Sequence, residues 1–251
     1  MRQLALLLFP ALLWACHKKN KEPECRFTGI TYPGSTTKLP VTYLPGDTVV
    51  TIGENDHGYN LYFNEQKRLI RREEPVLDPY YRWEVDYNSN GDAADLRFFT
   101  RQGGIWVEGG RLVFTYSLGR MVNIREENAA SQNGDIYDHQ LTWQGNDLQS
   151  VEHRLNNQPL CTTQFSYDAA VQNPMRRFSY LYFGDGDANY VYYKLAYYFS
   201  AHLVTKQEST CPLSETRLFN YTFTGNGLIE SMSNQVGAST GMIWAYEYEC
   251  R

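Results

Sequence analysis

The segment DYNSNGD contains the side chains best suited to hold a metal ion. Its alternating oxygen-bearing residues are Asp86, Asn88, Asn90 and Asp92. Alternating oxygens around a glycine bend are typical of the first half of a calcium-binding loop, but such a loop also needs a bidentate glutamate at its twelfth position, which is Arg97 here. Asn90-Gly91 between two strand-like runs equally predicts a hairpin turn. We therefore expect a turn and no bound cofactor, with calcium as the alternative.

A second acidic segment, GDGDAN, places Asp185 and Asp187 between two aromatic runs. Carboxylates two residues apart in a loop are a further calcium candidate. A solvated hairpin loop explains the same composition without a metal ion, and it is the interpretation that we prefer.

No residues in the sequence have the spacing of a familiar catalytic motif. The histidines are His17, His57, His139, His153 and His202. They form no HExxH pair, and Asp138-His139 has no G-x-S-x-G serine with which to complete a triad. The pairs Glu73-Glu74 and Glu126-Glu127 adjoin arginines, as charged strand ends do. We expect a non-catalytic protein, with a hydrolase whose site carries no motif as a third hypothesis.

The chain has five cysteines, an odd number that needs an explanation in an exported protein. If Cys16 is set aside, the remaining four are Cys25, Cys161, Cys211 and Cys250. Four cysteines in an oxidising compartment indicate two disulfides, for which three connectivities exist. We expect Cys25–Cys250, near the two ends of the folded region, and Cys161–Cys211.

Residues 1–15 have the organisation of a secretory signal peptide. Arg2 precedes an apolar stretch that is shorter than the ~20 residues needed to span a bilayer, and the small Ala15 ends it. The tetrapeptide LWAC at residues 13–16 resembles the bacterial lipobox, although Trp14 departs from its usual small residue. The resemblance implies that Cys16 is diacylated. We divide the chain into a signal peptide (1–15), a lipid-anchored polar tether (16–25) and an antiparallel β domain (26–251).

The elements of this domain must be strands, because apolar and polar residues alternate along most of it. Trp83, Val85 and Tyr87 share one face of a strand, and the C-terminal MIWAYEYEC alternates in the same way. Aromatic residues, which include 20 tyrosines, suit half-buried sheet surfaces. Successive hairpins predict one large antiparallel meander that curls or forms a partly open barrel. A β-sandwich is the alternative.

Several hairpins share the pattern Y-x-[YF], a turn, then G-x-[LI]. With the LWAC signal and the terminal YEYEC, this pattern resembles uncharacterised cell-envelope lipoproteins of Bacteroidota, whose strands are similar to YD repeats. The Tyr-Asp and Gly-Arg elements of those repeats survive at Tyr167-Asp168 and Gly119-Arg120. The resemblance implies a β fold and an envelope location, and no activity.

The aromatic surplus is the main functional lead. In NYVYYKLAYYFS, read as a strand, Tyr190, Tyr192 and Tyr198 share a face that also holds Lys194, and the opposite face is aromatic too. A strand covered on both sides explains this pattern, as does an exposed aromatic surface that stacks on sugars or on a protein. Tyrosine gives a large contact area at low entropic cost. The residues Tyr80, Tyr81 and Trp83 would extend such a surface.

These observations predict an envelope lipoprotein that binds a glycan or a partner protein. A structural or assembly component of the envelope is the second hypothesis. The 23 basic and 28 acidic side chains are scattered, which argues against a nucleic-acid surface. The expected contact with a membrane is the lipid anchor. We expect the protein on the bacterial outer membrane, on its periplasmic or its cell-surface face.

Overall fold

The computed structural model describes residues 25–32, 35–54, 58–128, 135–179, 181, 191–211 and 215–250. Within these ranges, sixteen antiparallel strands form a closed barrel in which each strand pairs with its neighbours in the chain and β1 pairs with β16. The strands are β1 Cys25–Thr31, β2 Lys38–Tyr43, β3 Val49–Ile52, β4 Tyr59–Phe63, β5 Leu69–Glu74, β6 Tyr81–Tyr87, β7 Ala93–Gln102, β8 Ile105–Ser117, β9 Arg120–Asn128, β10 Ile136–Gln144, β11 Asp147–Leu155, β12 Gln158–Gln172, β13 His202–Ser209, β14 Glu215–Phe223, β15 Ile229–Val236 and β16 Ser239–Cys250. The all-β meander is confirmed, and it closes fully.

The two ends of the barrel differ. We call the end at which β1 begins and β16 ends the proximal end. All odd-numbered strands begin there, and even-numbered strands begin at the opposite, distal end. The register of β1 and β16 brings Cys25 beside Cys250 at the proximal end. A disulfide joins these two cysteines, and a second joins Cys161 to Cys211. Both bonds agree with the expected pairing, and the first closes the barrel covalently.

Alternation along the strands directs apolar side chains into the barrel. Leu61, Ile124, Val151 and Ile229, from four different strands, are completely buried. In large membrane pores of similar strand number the interior is a water-filled channel. Here aromatic and aliphatic side chains fill the interior instead.

The tyrosines have a recurring role at the proximal end. The hydroxyls of Tyr87, Tyr167, Tyr221 and Tyr248, each near the end of an even-numbered strand, donate to backbone carbonyls of the preceding strand at 2.6–2.8 Å. In three of the four cases, the carbonyl belongs to an apolar residue that is the first or second residue of the odd-numbered strand. Buried tyrosine hydroxyls need such partners. This contact gives the repeated pattern of aromatic residue, turn and aliphatic residue its structural meaning.

One prediction about the aromatic segment before β13 is wrong. The residues expected to form a strand contain the helix α1, Val191–Phe199, which follows the 3-10 helix Pro174–Phe178. Leu195 and Ala196 have no exposed surface, and Tyr198 is also buried. A short helix enclosed by the barrel is aromatic on every side, just as a doubly covered strand would be. The pattern of residues therefore could not distinguish the two.

This insertion fills the barrel as a plug. The Tyr197 ring stacks parallel to that of Tyr221 on β14, and the Phe178 ring lies 4.2 Å from that of Phe27 on β1. The side-chain amide of Asn173 donates to the carbonyls of Tyr197 and Ser200, which fixes the start of the plug to its end.

Among the described residues, no helix is long and apolar enough to cross a membrane.

The outer wall carries charge. On neighbouring strands, Arg82 contacts Glu73 at 2.9 Å, and Arg97 contacts both Glu84 and Asp86. Similar pairs lie elsewhere around the circumference: Arg26–Asp47, Lys38–Glu247, Arg111–Glu127, Arg125–Asp138, Arg154–Glu152 and Lys206–Glu208. The barrel is therefore mainly apolar inside, and its outer wall carries many charged side chains.

Candidate functional site

The expected aromatic surface is not formed as the sequence indicated. Tyr198 is buried in the plug, where its ring lies 5.0 Å from that of Tyr197. Tyr190 lies outside the described residues, and Tyr192 belongs to α1, although its side chain is not among those described. Because α1 is a helix, alternate residues do not share a face. The strand-based surface is therefore wrong.

The other three predicted aromatics do form a continuous run at the distal end. The rings of Tyr80 and Tyr81 lie 4.5 Å apart, the Tyr81 and Trp83 rings 6.0 Å apart, and Phe98 meets Trp83 edge-on at 6.3 Å. Exposure falls along this run, from 51% for Tyr80 and 42% for Tyr81 to 8% for Trp83. The rings thus lead from solvent into the rim of the barrel.

A cleft of about 260 Å³ opens beside this run. We call it the distal cleft, and its lining includes Tyr81, Trp83, Phe98, Gly109 and Glu126. A side chain at Gly109 would stand in open space, with no atom within 4 Å of its Cβ. The glycine therefore leaves room that a larger residue would occupy.

Buried polar groups beside the distal cleft lack partners. The buried indole nitrogen of Trp83 has no hydrogen bond, and the same holds for Nε and Nη1 of Arg72 within the described part of the chain. The Arg72 guanidinium lies 4.5 Å above the Trp83 ring, and its Nη2 donates to Glu74 at 2.6 Å. Buried donors without partners are costly, so a bound polar group would be favourable here.

Glu126 supplies a carboxyl group to the same cleft. Burial raises the pKa of Glu126, because the charged form is poorly solvated there. The adjacent Glu127 also lines the cleft and is held by Arg111 at 2.7 Å. Neighbouring residues in a strand point to opposite faces, so these two carboxyl groups do not face each other.

The calcium candidates in DYNSNGD form the turn between β6 and β7. The side-chain oxygen of Asn88 accepts hydrogen bonds from the backbone N–H groups of Asn90 and Asp92, at 2.9 and 3.0 Å. Asp86 pairs with Arg97 on the outer wall. Arg97 occupies the position at which a calcium-binding loop needs a glutamate. The turn accounts for these residues without a metal ion. Asp185 and Asp187 lie outside the described residues.

Two buried histidines form a pair that the sequence did not reveal. The Nδ1 atoms of His139 and His153 lie 3.0 Å apart, and Nε2 of His153 lies 3.0 Å from the Thr163 hydroxyl. Burial lowers the pKa of His139 to about 3 and that of His153 to about 4, with His153 also lowering the value for His139. Asp138 points outward to Arg125, so it does not orient His139.

His153 also lies beside the second disulfide. Its ligand nitrogen and the sulfurs of Cys161 and Cys211 are all within 4.8 Å of one another. Because the two sulfurs are bonded to each other, neither is a thiolate that could bind a metal ion. We therefore interpret this cluster as structural.

Sequence reasoning missed Arg72, whose guanidinium packs on Trp83, and also Phe98 and Glu126, which line the distal cleft. They lie on β5, β7 and β9, and their approach to Trp83 depends on strand register. The segment LIRREE does not alternate between apolar and polar residues, so nothing in the sequence indicated that Arg72 lies against Trp83. Cys16 and residues 1–24 lie outside the described residues.

Comparison with known proteins gives only distant likenesses. No protein-family model matches the chain, and no curated protein does. A solved porin-like protein from Bacteroides uniformis ATCC 8492 has a TM-score of 0.46 at 12% identity, covering 89% of this chain and 96% of its own. A porin-like protein from Bacteroides vulgatus ATCC 8482 has a TM-score of 0.39 at 12% identity, covering 89% and 98%. Likenesses this distant carry no argument about function.

Proposed function

We propose that this chain is a non-catalytic envelope lipoprotein that binds a glycan in its distal cleft. The observation that carries the proposal is the descending run of Tyr80, Tyr81 and Trp83, which ends at an unpartnered buried indole N–H. Sugar rings present apolar C–H faces that pack on aromatic rings, and hydroxyl groups that accept and donate hydrogen bonds. The distal cleft offers both kinds of contact.

The distal cleft combines aromatic rings with groups that can donate and accept hydrogen bonds. Of the residues that line the cleft, Trp83 has an unpartnered indole nitrogen that can donate, and Glu126 has a carboxyl group that can accept. A binding site with large rings and a few placed polar groups is the usual form of a small-ligand site. The mixture of donors and acceptors at the base would select among sugars by their hydroxyl positions.

The charged outer wall supports a barrel whose outer surface is solvated by water. A membrane-spanning barrel presents an apolar band to lipid and a polar interior. This barrel has the opposite polarity, so we infer that a lipid on Cys16, and not the barrel wall, attaches it to the outer membrane.

The anchor would set the orientation of the molecule. The strand β1 begins at the proximal end, nine residues after Cys16 in the sequence, so the proposed tether reaches at most about 30 Å. The proximal end would then face the membrane, and the distal cleft would face away from it. That orientation suits capture of a glycan from the surrounding space.

A glycan array followed by calorimetry tests the proposal. Tyr81→Ala removes an exposed ring, and Gly109→Leu fills the cleft where there is space for a side chain. We expect each change to weaken glycan binding about tenfold or more, equivalent to about 1.4 kcal/mol. Phe223→Ala, which removes an exposed aromatic ring from the proximal end of β14, is the matched control.

Two results would count against glycan binding. One is an array on which no sugar binds the full-length protein. The other is binding that Tyr81→Ala and Gly109→Leu leave unchanged. In either case, a partner protein recovered specifically with the purified barrel would favour the structural or assembly role.

A hydrolase is the second candidate, because Glu126 lines the distal cleft and burial raises its pKa. A general acid needs such a raised pKa. Release of reducing ends from a bound oligosaccharide, abolished by Glu126→Gln, would favour hydrolysis. Glycan binding without any product would favour the non-catalytic proposal.

A further inference from the structure

A second cavity lies at the proximal end, away from the distal cleft. It has a volume of about 450 Å³ and lies between the plug and four consecutive turns of the wall. These turns join β4 to β5, β6 to β7, β8 to β9 and β10 to β11. We call it the proximal cavity, and its existence does not depend on the glycan proposal.

The proximal cavity is lined by five cationic side chains. They are Lys67, Arg68, Arg120, Arg176 and Arg177. Asp92 is the one acidic residue in the lining, and among the described residues no carboxylate lies within salt-bridge distance of any of the five cations. Elsewhere on this barrel, arginines of the outer wall are paired with acids. The concentration of unpaired positive charge is therefore a local property of this cavity.

Two of the guanidinium groups are held in place by neutral neighbours. Arg68 lies 5.5 Å from the centre of the Tyr87 ring and packs against Gly91, where an added Cβ would overlap Nη2 of the arginine. Arg120 donates to the side-chain oxygen of Asn146 at 3.0 Å. These contacts orient the cations without neutralising them.

The floor of the proximal cavity is apolar and aromatic. Tyr87, Tyr116, Trp143, Leu195 and Phe199 contribute to it. Burial raises the pKa of Tyr87 to about 12 and also raises that of Tyr116, so both hydroxyls stay neutral at physiological pH. The indole N–H of Trp143 is already bonded to the Met121 carbonyl. The floor therefore adds contact surface and no negative charge.

We propose that the proximal cavity binds a phosphate-bearing ligand, with the phosphate near Arg68 and Arg120 and the rest of the molecule over the aromatic floor. Four of the five cations are arginines, whose planar forks match phosphate oxygens in pairs. The ligand could come from either of two sources, a small soluble phosphate ester or the headgroup of a phospholipid. Both present the same chemistry to the cavity.

The test uses the full-length protein with its own N-terminus, purified in a mild non-ionic detergent. Calorimetry measures binding of glycerol 3-phosphate, and of micelles doped with phosphatidylglycerol or, as a zwitterionic reference, phosphatidylcholine. We expect Arg68→Gln and Arg120→Gln each to weaken binding about tenfold, and binding to weaken as salt is raised. Arg154→Gln on the outer wall is the matched control and should bind normally.

A second variant tests the same geometry without removing a charge. Gly91→Ala should displace Arg68 and weaken binding, while far-ultraviolet circular dichroism confirms that the barrel still folds. Binding of glycerol 3-phosphate identifies a soluble ester as the ligand class, and binding of phosphatidylglycerol micelles alone identifies a headgroup. The proposal is overturned if neither binds, or if both arginine variants bind as the unaltered protein does. Tyr81→Ala should leave phosphate binding intact, which separates this outcome from that of the glycan proposal.

Discussion

Acidification should destabilise the barrel through the pair formed by His139 and His153. Both rings are buried, and their Nδ1 atoms are 3.0 Å apart, so one nitrogen donates and the other accepts. A further proton would place a cation in an apolar interior, next to a second buried ring whose charged form would be equally poorly solvated. The folded protein therefore binds fewer protons at this pair than the unfolded chain does.

The magnitude follows from the two pKa values. An unfolded histidine has a pKa of about 6.5, whereas burial lowers that of His139 to about 3 and that of His153 to about 4. Stability from these groups is fully present above pH 6.5 and is lost as the pH falls toward the folded values. At pH 5.0 the loss is about 2 kcal/mol for each ring and about 4 kcal/mol for the pair.

Urea denaturation at pH 7.5 and 5.0, followed by tryptophan fluorescence, measures this loss. The variant His139→Leu/His153→Leu should lose about 4 kcal/mol less than the unaltered protein between the two pH values, whatever its stability at pH 7.5. His202→Gln, which alters a half-buried histidine bonded to Asp147, should retain the full loss. An unchanged pH dependence in the double variant would refute the reasoning, because it would mean that the pair takes up protons freely in the folded barrel.

Three further predictions concern stability. Tyr87→Phe removes a hydroxyl that donates to a backbone carbonyl on β5 and should lower the free energy of unfolding by about 1 kcal/mol, whereas Tyr137→Phe on the exposed surface should change it by less than about 0.5 kcal/mol, both measured by urea denaturation. Leu195→Ala should cost about 2–5 kcal/mol in the same assay, and a cost below about 1 kcal/mol would mean that α1 does not fill the barrel. Replacing Cys25 and Cys250 by serine opens a link across 225 residues and should cost up to about 5 kcal/mol, and an unchanged urea midpoint would contradict the closing role of this disulfide.

Alternation was sufficient to predict the strands and their antiparallel order, because each hairpin is a local feature. The face shared by Trp83 and Val85 is the inward face, as expected, and both residues are buried. The pairing of Cys25 with Cys250 was predicted from their positions near the two ends of the folded region, and the register of β1 with β16 places them side by side. Whether the meander closed was not predictable, because closure depends on the pairing of β1 with β16, which are separated by most of the chain.

The aromatic run around Tyr198 shows where alternation fails. A strand covered on both faces and a helix buried on every side both carry aromatics at consecutive positions, so the sequence alone could not separate the two. The surrounding barrel determines whether this segment forms a strand or a helix. The interior of sixteen strands needs filling, and α1 supplies side chains from every side.

The two candidate sites were only partly visible in the sequence for the same reason. Tyr81 and Trp83 were identified because they are close in the chain, but Glu126 joins them through the register of two intervening strands. The cations of the proximal cavity, such as Arg68 and Arg177, come from turns and from the plug. Basic residues that are scattered along the chain are brought together by the fold.

The measurement that tests the central claim most directly is the behaviour of the barrel without lipid or detergent. Residues 17–251, produced in a host that forms disulfides, lack the proposed signal peptide and Cys16. A barrel that is apolar inside and charged outside should be a folded monomer in plain buffer, with strand-dominated circular dichroism and the light-scattering mass of one chain. A protein that stays dispersed only in detergent, or that inserts into liposomes and makes them leak, would contradict the account.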